Sequence, residues 1–209
     1  MASPLPPLDR AELESRLSAV SPAVAPATLD ALLAHYGELR RWAARVSLIG
    51  PGSASQAVER HYAESLAGAD LIAGRRLLDL GSGAGFPGLI LAAARPALEV
   101  TLVERRQRKA VFLRAAARAM GLRAEVVEGD LRTILPQAQR QPVDSVTLRA
   151  VRLDEQEWRV VLDHAHPETV FVLWQGLEAP PGLPAELRAE RSIELPGRQS
   201  RIVSYRRQP

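Results

Sequence analysis

The run Leu77-Leu78-Asp79-Leu80-Gly81-Ser82-Gly83-Ala84-Gly85 constrains this chain more than any other stretch. A short apolar strand runs straight into a turn with glycine at every second position, and the helix-forming segment Phe86 to Ala94 follows, stopped before Pro96. Glycines in such a turn let the backbone bend sharply and approach a ligand with no Cβ in the way. The spacing is G-x-G-x-G. A dinucleotide fingerprint requires G-x-G-x-x-G, its third glycine lying where helix and strand pack closely, and here that position is Phe86. The run is either a tight turn alone or the floor of a crevice for a nucleoside without a pyrophosphate.

Strands and helices alternate from there on. Further strands are expected at Glu99 to Glu104, Ala124 to Val127, Asp144 to Leu148 and Thr169 to Trp174, with helices at Gln107 to Met120, closed by Gly121, and at Glu155 to Asp163. Two edge strands near Arg191 to Glu194 and Arg201 to Tyr205 have no helix between them, so the last is expected to run antiparallel. The expected fold class is α/β: a Rossmann-like, doubly wound seven-strand sheet with an antiparallel end strand, of the class I S-adenosylmethionine-dependent methyltransferase type. Before it the periodicity is helical. Asp9 with Glu12 resembles a capping box, Thr28 to Arg45 spaces its apolar residues by three and four, and a third helix is expected from Ser53 or Ser55 to Leu71 after the break Gly50-Pro51-Gly52. The expected division is a disordered 1–9, an N-terminal helical extension over 10–73 and a methyltransferase domain over 74–209.

Glu104, ending the second strand, is a carboxylate placed to accept from two ribose hydroxyls, with Gly81, Ser82, Gly83 and Phe86 in the adjoining loop. After the third strand, Asp130 can accept from an adenine amino group with Leu131 offering a backbone donor, or it can cap a helix. The cofactor implied is S-adenosyl-L-methionine. The chain has 209 residues and no cysteine, which excludes thiolate metal sites and any covalent cysteine mechanism. His164 and His166 stand two apart, on different faces of a helix, so no metal is expected. The N-terminus lacks a signal-peptide pattern and no apolar stretch is long enough to span a bilayer, so a cytoplasmic location without membrane contact is the expectation. Lys109 is the only lysine; every other basic residue is arginine, by coding bias or for phosphate binding.

These residues resemble the bacterial 16S ribosomal RNA N7-guanine methyltransferases, the RsmG or GidB family, along nearly the whole chain. Asp79-Leu80-Gly81-Ser82-Gly83-Ala84-Gly85-Phe86-Pro87-Gly88 is similar to that family's D-x-G-[ST]-G-x-G-[FL]-P-G. Trp42, Arg60-His61-Tyr62-Ala63-Glu64-Ser65, Arg108-Lys109, Leu148-Arg149-Ala150 and Gly197 to Arg201 resemble further family segments. The resemblance implies cofactor contacts from Gly81, Phe86, Leu131, Arg132 and Arg149, with Glu104 on the ribose. The chain departs from the family at Trp42-Ala43-Ala44-Arg45-Val46-Ser47-Leu48 in place of W-N-x-x-x-N-L, at Asp130 and Arg132, and at Trp174-Gln175 before Gly176, mostly on the acceptor side. A small-molecule methyltransferase, or a relative that binds RNA or cofactor without transferring methyl groups, stays open as an alternative.

The implied activity is methylation of a guanine N7, which carries a lone pair and no proton and so needs positioning rather than a general base. Arg149 is the residue expected to touch both methionine and acceptor, unless it is spent on a salt bridge. Arg105, Arg106, Arg108 and Lys109, with Arg198 and Arg201 near the C-terminus, are expected on RNA phosphates, the alternative being solvated surface. Trp42 and Tyr36 either stack on RNA or pin the helices to the sheet, and Trp174 either lines the acceptor pocket or fills the core. The expected partner is 16S rRNA or the small ribosomal subunit, met by a monomer.

Overall fold

The computed structural model describes residues 5–18, 24–50, 53–137, 143–195 and 197–208. Pro51, Gly52 and Met1 to Pro4 lie outside the described residues, so the glycine–proline break and the start of the N-terminal segment cannot be followed there. Helices α1 (Arg10–Ser18) and α2 (Pro26–Ala43) come first. Asp9 Oδ1 accepts from the Glu12 amide at 2.8 Å, which starts α1. Leu5 is buried and the Pro6 carbonyl accepts from the Tyr36 hydroxyl at 2.9 Å, so the chain before α1 lies against α2.

The expected third helix is broken into three pieces. A π-helical turn spans Val58–Ala63, an α-turn α3 spans Glu64–Ala67, and a 3₁₀ turn spans Ala69–Leu71. Gly68 separates the last two because a Cβ there would lie 2.4 Å from the Trp174 ring.

Seven strands then follow in the spatial order β3-β2-β1-β4-β5-β7-β6. They are β1 (Arg76–Leu80), β2 (Glu99–Glu104), β3 (Ala124–Glu128), β4 (Ser145–Arg149), β5 (Val170–Gly176), β6 (Leu187–Glu194) and β7 (Ser200–Arg207). The first five are parallel, while β7 enters between β5 and β6 antiparallel to both. β4 and β5 read as buried apolar runs because helices cover both faces of a parallel sheet.

Helices α4 (Gly88–Ala94) and α5 (Gln107–Ala119) share one core with α1, α2 and Tyr62 on one face. On the other face α6 (Leu131–Gln137) and α7 (Glu155–His164) cover a second core that includes Leu78, Leu80, Val146 and Phe171. A complete capping box opens α7, with the Asp154 carboxylate and Glu157 amide 2.8 Å apart and the reciprocal bond 2.9 Å. Helix α6 is anticipated only by the alternative reading of Asp130 as a helix cap; it is one short segment with Pro136 inside it. The chain reverses direction across the sheet between β1 and β4, so the loops after these strands face each other across a crevice.

Candidate active site

The glycine turn follows β1 at the carboxyl edge of the sheet, with Gly81, Gly83 and Gly85 all left-handed at φ 66°, 57° and 82°. Their uses differ. A Cβ on Gly81 would lie 2.4 Å from Val151 Cγ2, so this glycine admits a side chain from the loop after β4. A Cβ on Gly85 would meet Leu89 at 2.7 Å, whereas one on Gly83 would touch nothing closer than 3.6 Å. The open wall of the crevice is therefore at Gly83. The close helix–strand approach that a third fingerprint glycine provides is made by Gly88, where a Cβ would lie 2.5 Å from Leu102.

Glu104 stands beside that wall, buried at 6% exposure. Its Oε2 accepts from the Gly83 amide at 3.0 Å and its Oε1 from the Arg106 amide at 2.8 Å. Two backbone donors fix the carboxylate without using all its lone pairs, so it can still accept from hydroxyls. Ser82 closes the turn: its amide donates to the Val103 carbonyl at 3.1 Å and its hydroxyl to the Asp79 carbonyl at 2.8 Å. Asp79 lies beneath, with Oδ1 accepting from the Thr147 hydroxyl at 2.6 Å. Its Oδ2 is buried against Gly88 without a well-formed hydrogen bond, and burial pushes the carboxyl up to about 6. Lys109 is half-buried near the same wall, and burial lowers its pKa.

Phe86 turns away from the crevice into an aromatic cluster. His61 stacks on it at 4.9 Å, and His35 and Tyr62 meet it edge-on at 5.1 and 5.0 Å. His35, on α2, is wholly buried and lies 2.9 Å from the Ala84 carbonyl through Nε2 and 2.7 Å from the Tyr62 hydroxyl through Nδ1. A carbonyl only accepts, so Nε2 carries the proton and the Tyr62 hydroxyl donates to Nδ1. Burial pulls His35 down to about 4, so the ring is neutral near pH 7. The helices before β1 thus hold the glycine-turn backbone directly. Sequence reasoning did not select His35; its signal was a histidine on the apolar face of a helix, three residues after Leu32 and four before Leu39.

Arg149, at the end of β4, is spent on the protein itself. Nη2 pairs with Glu64 Oε2 at 2.6 Å and also reaches the Arg60 carbonyl, while Nη1 donates to the Ser65 hydroxyl at 3.2 Å and the His61 carbonyl at 3.4 Å. The π turn explains the two carbonyls, since wide turns leave main-chain acceptors free for a buried cation. Arg198 Nε pairs with the other Glu64 oxygen at 2.7 Å. Burial pushes Glu64 up and Arg149 down, so their attraction is held against a desolvation cost. Glu64 sits inside the motif Arg60 to Ser65, but nothing in its spacing points to Arg149.

The remaining sequence candidates are scattered. Asp130 binds Arg132 through both oxygens, at 2.9 and 2.7 Å, and that bond holds its carboxyl down to about 2. Its carbonyl accepts from Thr133 and Ile134, so it also starts α6, where Leu131 is the first residue. Arg105, Arg106 and Arg108 are exposed at the start of α5. Arg201 lies on β7 with a buried Nε that has no hydrogen-bond partner among the described residues. Tyr36 is core, whereas Trp42 is partly exposed. Trp174 is largely buried; its Nε1 donates to the Glu64 carbonyl at 2.7 Å, and it borders a hollow of about 830 Å³ together with Ala150, Val151 and Gln199. That hollow lies at the carboxyl ends of β4 and β5, next to the glycine turn. Another, of about 790 Å³, lies at the amino ends of β1–β3 near Arg76, Glu99 and Arg123, the end of a parallel sheet where ligands do not sit.

Comparison with solved structures places the fold. The putative methyltransferase yhhF of Escherichia coli superposes with a TM-score of 0.53 at 23% identity, over 68% of this chain and 80% of that one. A SAM dependent methyltransferase from Aquifex aeolicus superposes with a TM-score of 0.57 at 17% identity, over 72% and 92%. Both show a class I methyltransferase architecture. Among curated relatives, the ribosomal RNA small subunit methyltransferase G of Rhodopseudomonas palustris (strain TIE-1) is 42% identical over 130 residues, 60% of this chain. The match spans 58% of that relative's length. The protein of the same name in Myxococcus xanthus (strain DK1622) is 36% identical over 176 residues, 81% of this chain and 76% of the relative. The family model for GidB, described as rRNA small subunit methyltransferase G, matches residues 28–189. With its sheet order, its glycine turn and most of its length accounted for in this way, the chain belongs to the GidB family.

Proposed function

We propose that this protein methylates N7 of a guanine in 16S ribosomal RNA, with S-adenosyl-L-methionine as methyl donor. The observation that carries the reading is the Glu104 carboxylate, held 3.0 Å from the Gly83 amide at the open wall of the glycine turn. It suits a ribose: a fixed acceptor lies beside backbone at Gly83 where a Cβ would meet nothing closer than 3.6 Å, with the Lys109 Nζ at 3.9 Å. The donor, when bound, supplies an electrophilic methyl group on a sulfonium.

The chain's own residues divide the remaining work. Glu104 accepts from the ribose hydroxyls, Ser82 and Gly83 form the wall, and Leu131 and Asp130 border the adenine side, Asp130 while paired to Arg132. Gly81 and Val151 together close the floor. Arg149 holds the helices before β1 against the acceptor edge and so shapes the pocket without touching the reacting atoms. The hollow beside Trp174 takes the guanine, flipped from its stack, and the exposed segment Gly176 to Ala179 leaves it open to a large substrate. No general base is required there, because N7 has no proton to lose; alignment contributes up to ~7–11 kcal/mol in favourable cases.

The test is transfer of a labelled methyl group to naked 16S rRNA and to small subunits from a strain lacking the enzyme, followed by mass mapping of nucleosides. New N7-methylguanosine at one position is the expected result. Cofactor binding with no label on either substrate would overturn the reading and favour a small-molecule acceptor or an inactive relative.

A further inference from the structure

Many arginines of this protein are paired, among them Arg10 with Asp30, Arg16 with Glu59, Arg132 with Asp130, Arg149 and Arg198 with Glu64, Arg206 with Glu168 and Glu190, and Arg207 with Glu186. Of the arginines without an ion pair, five gather in one region. Among the described residues Arg105, Arg106, Arg108 and Arg118 on and before α5, and Arg45 just after α2, make no ion pair, and all five are exposed.

Their placement is regular. Arg108, Val111, Arg114 and Arg118 recur at spacings of three and four, so they share one face of α5, and each is exposed. Val111 is 44% exposed, one of the few large apolar side chains left open to solvent. Arg114 reaches Glu128 only at 3.4 Å. The stripe starts at the Glu104 end of β2 and runs about 20 Å along α5, at ~1.5 Å per residue. At its far end it enters a hollow of about 600 Å³ between α2 and α5, lined by Arg41, Trp42, Arg45 and Arg118. Trp42 is oriented there by its Nε1 bond to Glu38 at 3.2 Å and by an edge contact with Phe112 at 6.0 Å.

Helix dipoles do not account for this. Arg118 sits favourably in the last turn of α5, but Arg105, Arg106 and Arg108 crowd its N-terminal end, where a cation opposes the dipole. Unpaired guanidinium groups kept against that dipole, beside a partly exposed indole, match a polyanion with aromatic bases.

We propose that the outer face of α5 and the α2–α5 hollow form a second RNA-docking strip, distal to the acceptor pocket. Phosphates lie along Arg108, Arg114, Arg118 and Arg45, and an unpaired base stacks on Trp42. This rests on the rRNA reading given above and deepens it, adding Arg45, Arg114, Arg118 and Trp42 to the cluster at the start of α5.

The experiment compares the wild type with R45E/R118E, and with R159E on α7 as a control away from the strip, in two measurements. One is affinity for a labelled small-subunit rRNA fragment across a salt series; the other is calorimetric affinity for S-adenosyl-L-methionine. The double variant should bind RNA at least tenfold more weakly than R159E and show a salt slope smaller by about 1–2, while binding cofactor within twofold of wild type. RNA affinity equal to that of R159E would overturn the strip and leave the rRNA reading intact. Weakened binding to assembled small subunits with unchanged binding to naked rRNA would also overturn it, since the strip would then meet an acidic protein. A wild type that binds cofactor but no RNA would instead sink the rRNA reading itself.

Discussion

The glycine turn with Glu104 and the seam that joins the first helices to β4 and β5 are built in opposite ways. The turn is made of neighbours: backbone donors hold Glu104, and Ser82 bonds Asp79 three residues back. The seam is made of strangers. Arg149 meets Glu64 across 85 residues, Trp174 meets the Glu64 carbonyl across 110, and His35 meets the Ala84 carbonyl across 49. The turn can be recognised from its own segment, whereas the seam exists only once the whole chain has folded. Yet the seam supports the turn, because His35 and Phe86 belong to both.

The hardest test of this contrast is Glu64→Ala. It leaves the largely buried Arg149 and the partly exposed Arg198 without their carboxylate and should cost about 3–5 kcal/mol in denaturant unfolding. A loss below about 1 kcal/mol would mean that the seam does not hold the two parts together.

A sharper test uses acid, to which the two regions respond with opposite sign. His35 is depressed from 6.5 to about 4, so its stabilisation is present above pH 6.5 and is lost as pH falls through about 4. Asp79 is raised from 3.8 to about 6, so its contribution is full below pH 3.8 and is lost as pH rises through about 6. Each amounts to about 3 kcal/mol at ~1.4 kcal/mol per pKa unit. His35→Gln should therefore flatten the fall in stability between pH 6.5 and 4, and Asp79→Asn should steepen it. Unfolding free energies measured across that window check both signs, and identical slopes in the two variants would refute the assignment.

The smallest effect separates two glycines within the turn. Gly83→Ala meets only the left-handed penalty, ~1–2 kcal/mol, and projects into the open wall proposed for the cofactor. Gly81→Ala adds a collision with Val151, so it should lose about 1–3 kcal/mol more stability. Calorimetry with S-adenosyl-L-methionine should show Gly83→Ala losing more affinity per unit of stability lost.

The same division explains what could be read in advance. All seven strands, the antiparallel end strand, α5 with its closing glycine and the capped α7 follow from local periodicity and end signals. Helix α6 showed only through the cap reading of Asp130, because seven residues with a proline inside carry too little periodicity. The third helix was expected whole and came out as π, α and 3₁₀ turns, since its carbonyls bend toward Arg149 and Gly68 makes room for Trp174. Glu104 was legible because it ends a strand beside the glycine turn. The partners of Arg149 were not, because a salt bridge over 85 residues leaves no mark on either segment.

The wide turn at Val58–Ala63 also bears on how the chain reaches its final form. Its carbonyls and Glu64 wait for an arginine synthesised 85 to 89 residues later, so this junction cannot close while the ribosome is still making β4. Closing a loop of that length costs about 4 kcal/mol of chain entropy before any contact repays it. The first two helices can pack on α4 and α5 as soon as those helices exist, but the segment around Glu64 stays unlatched until β4 has been made.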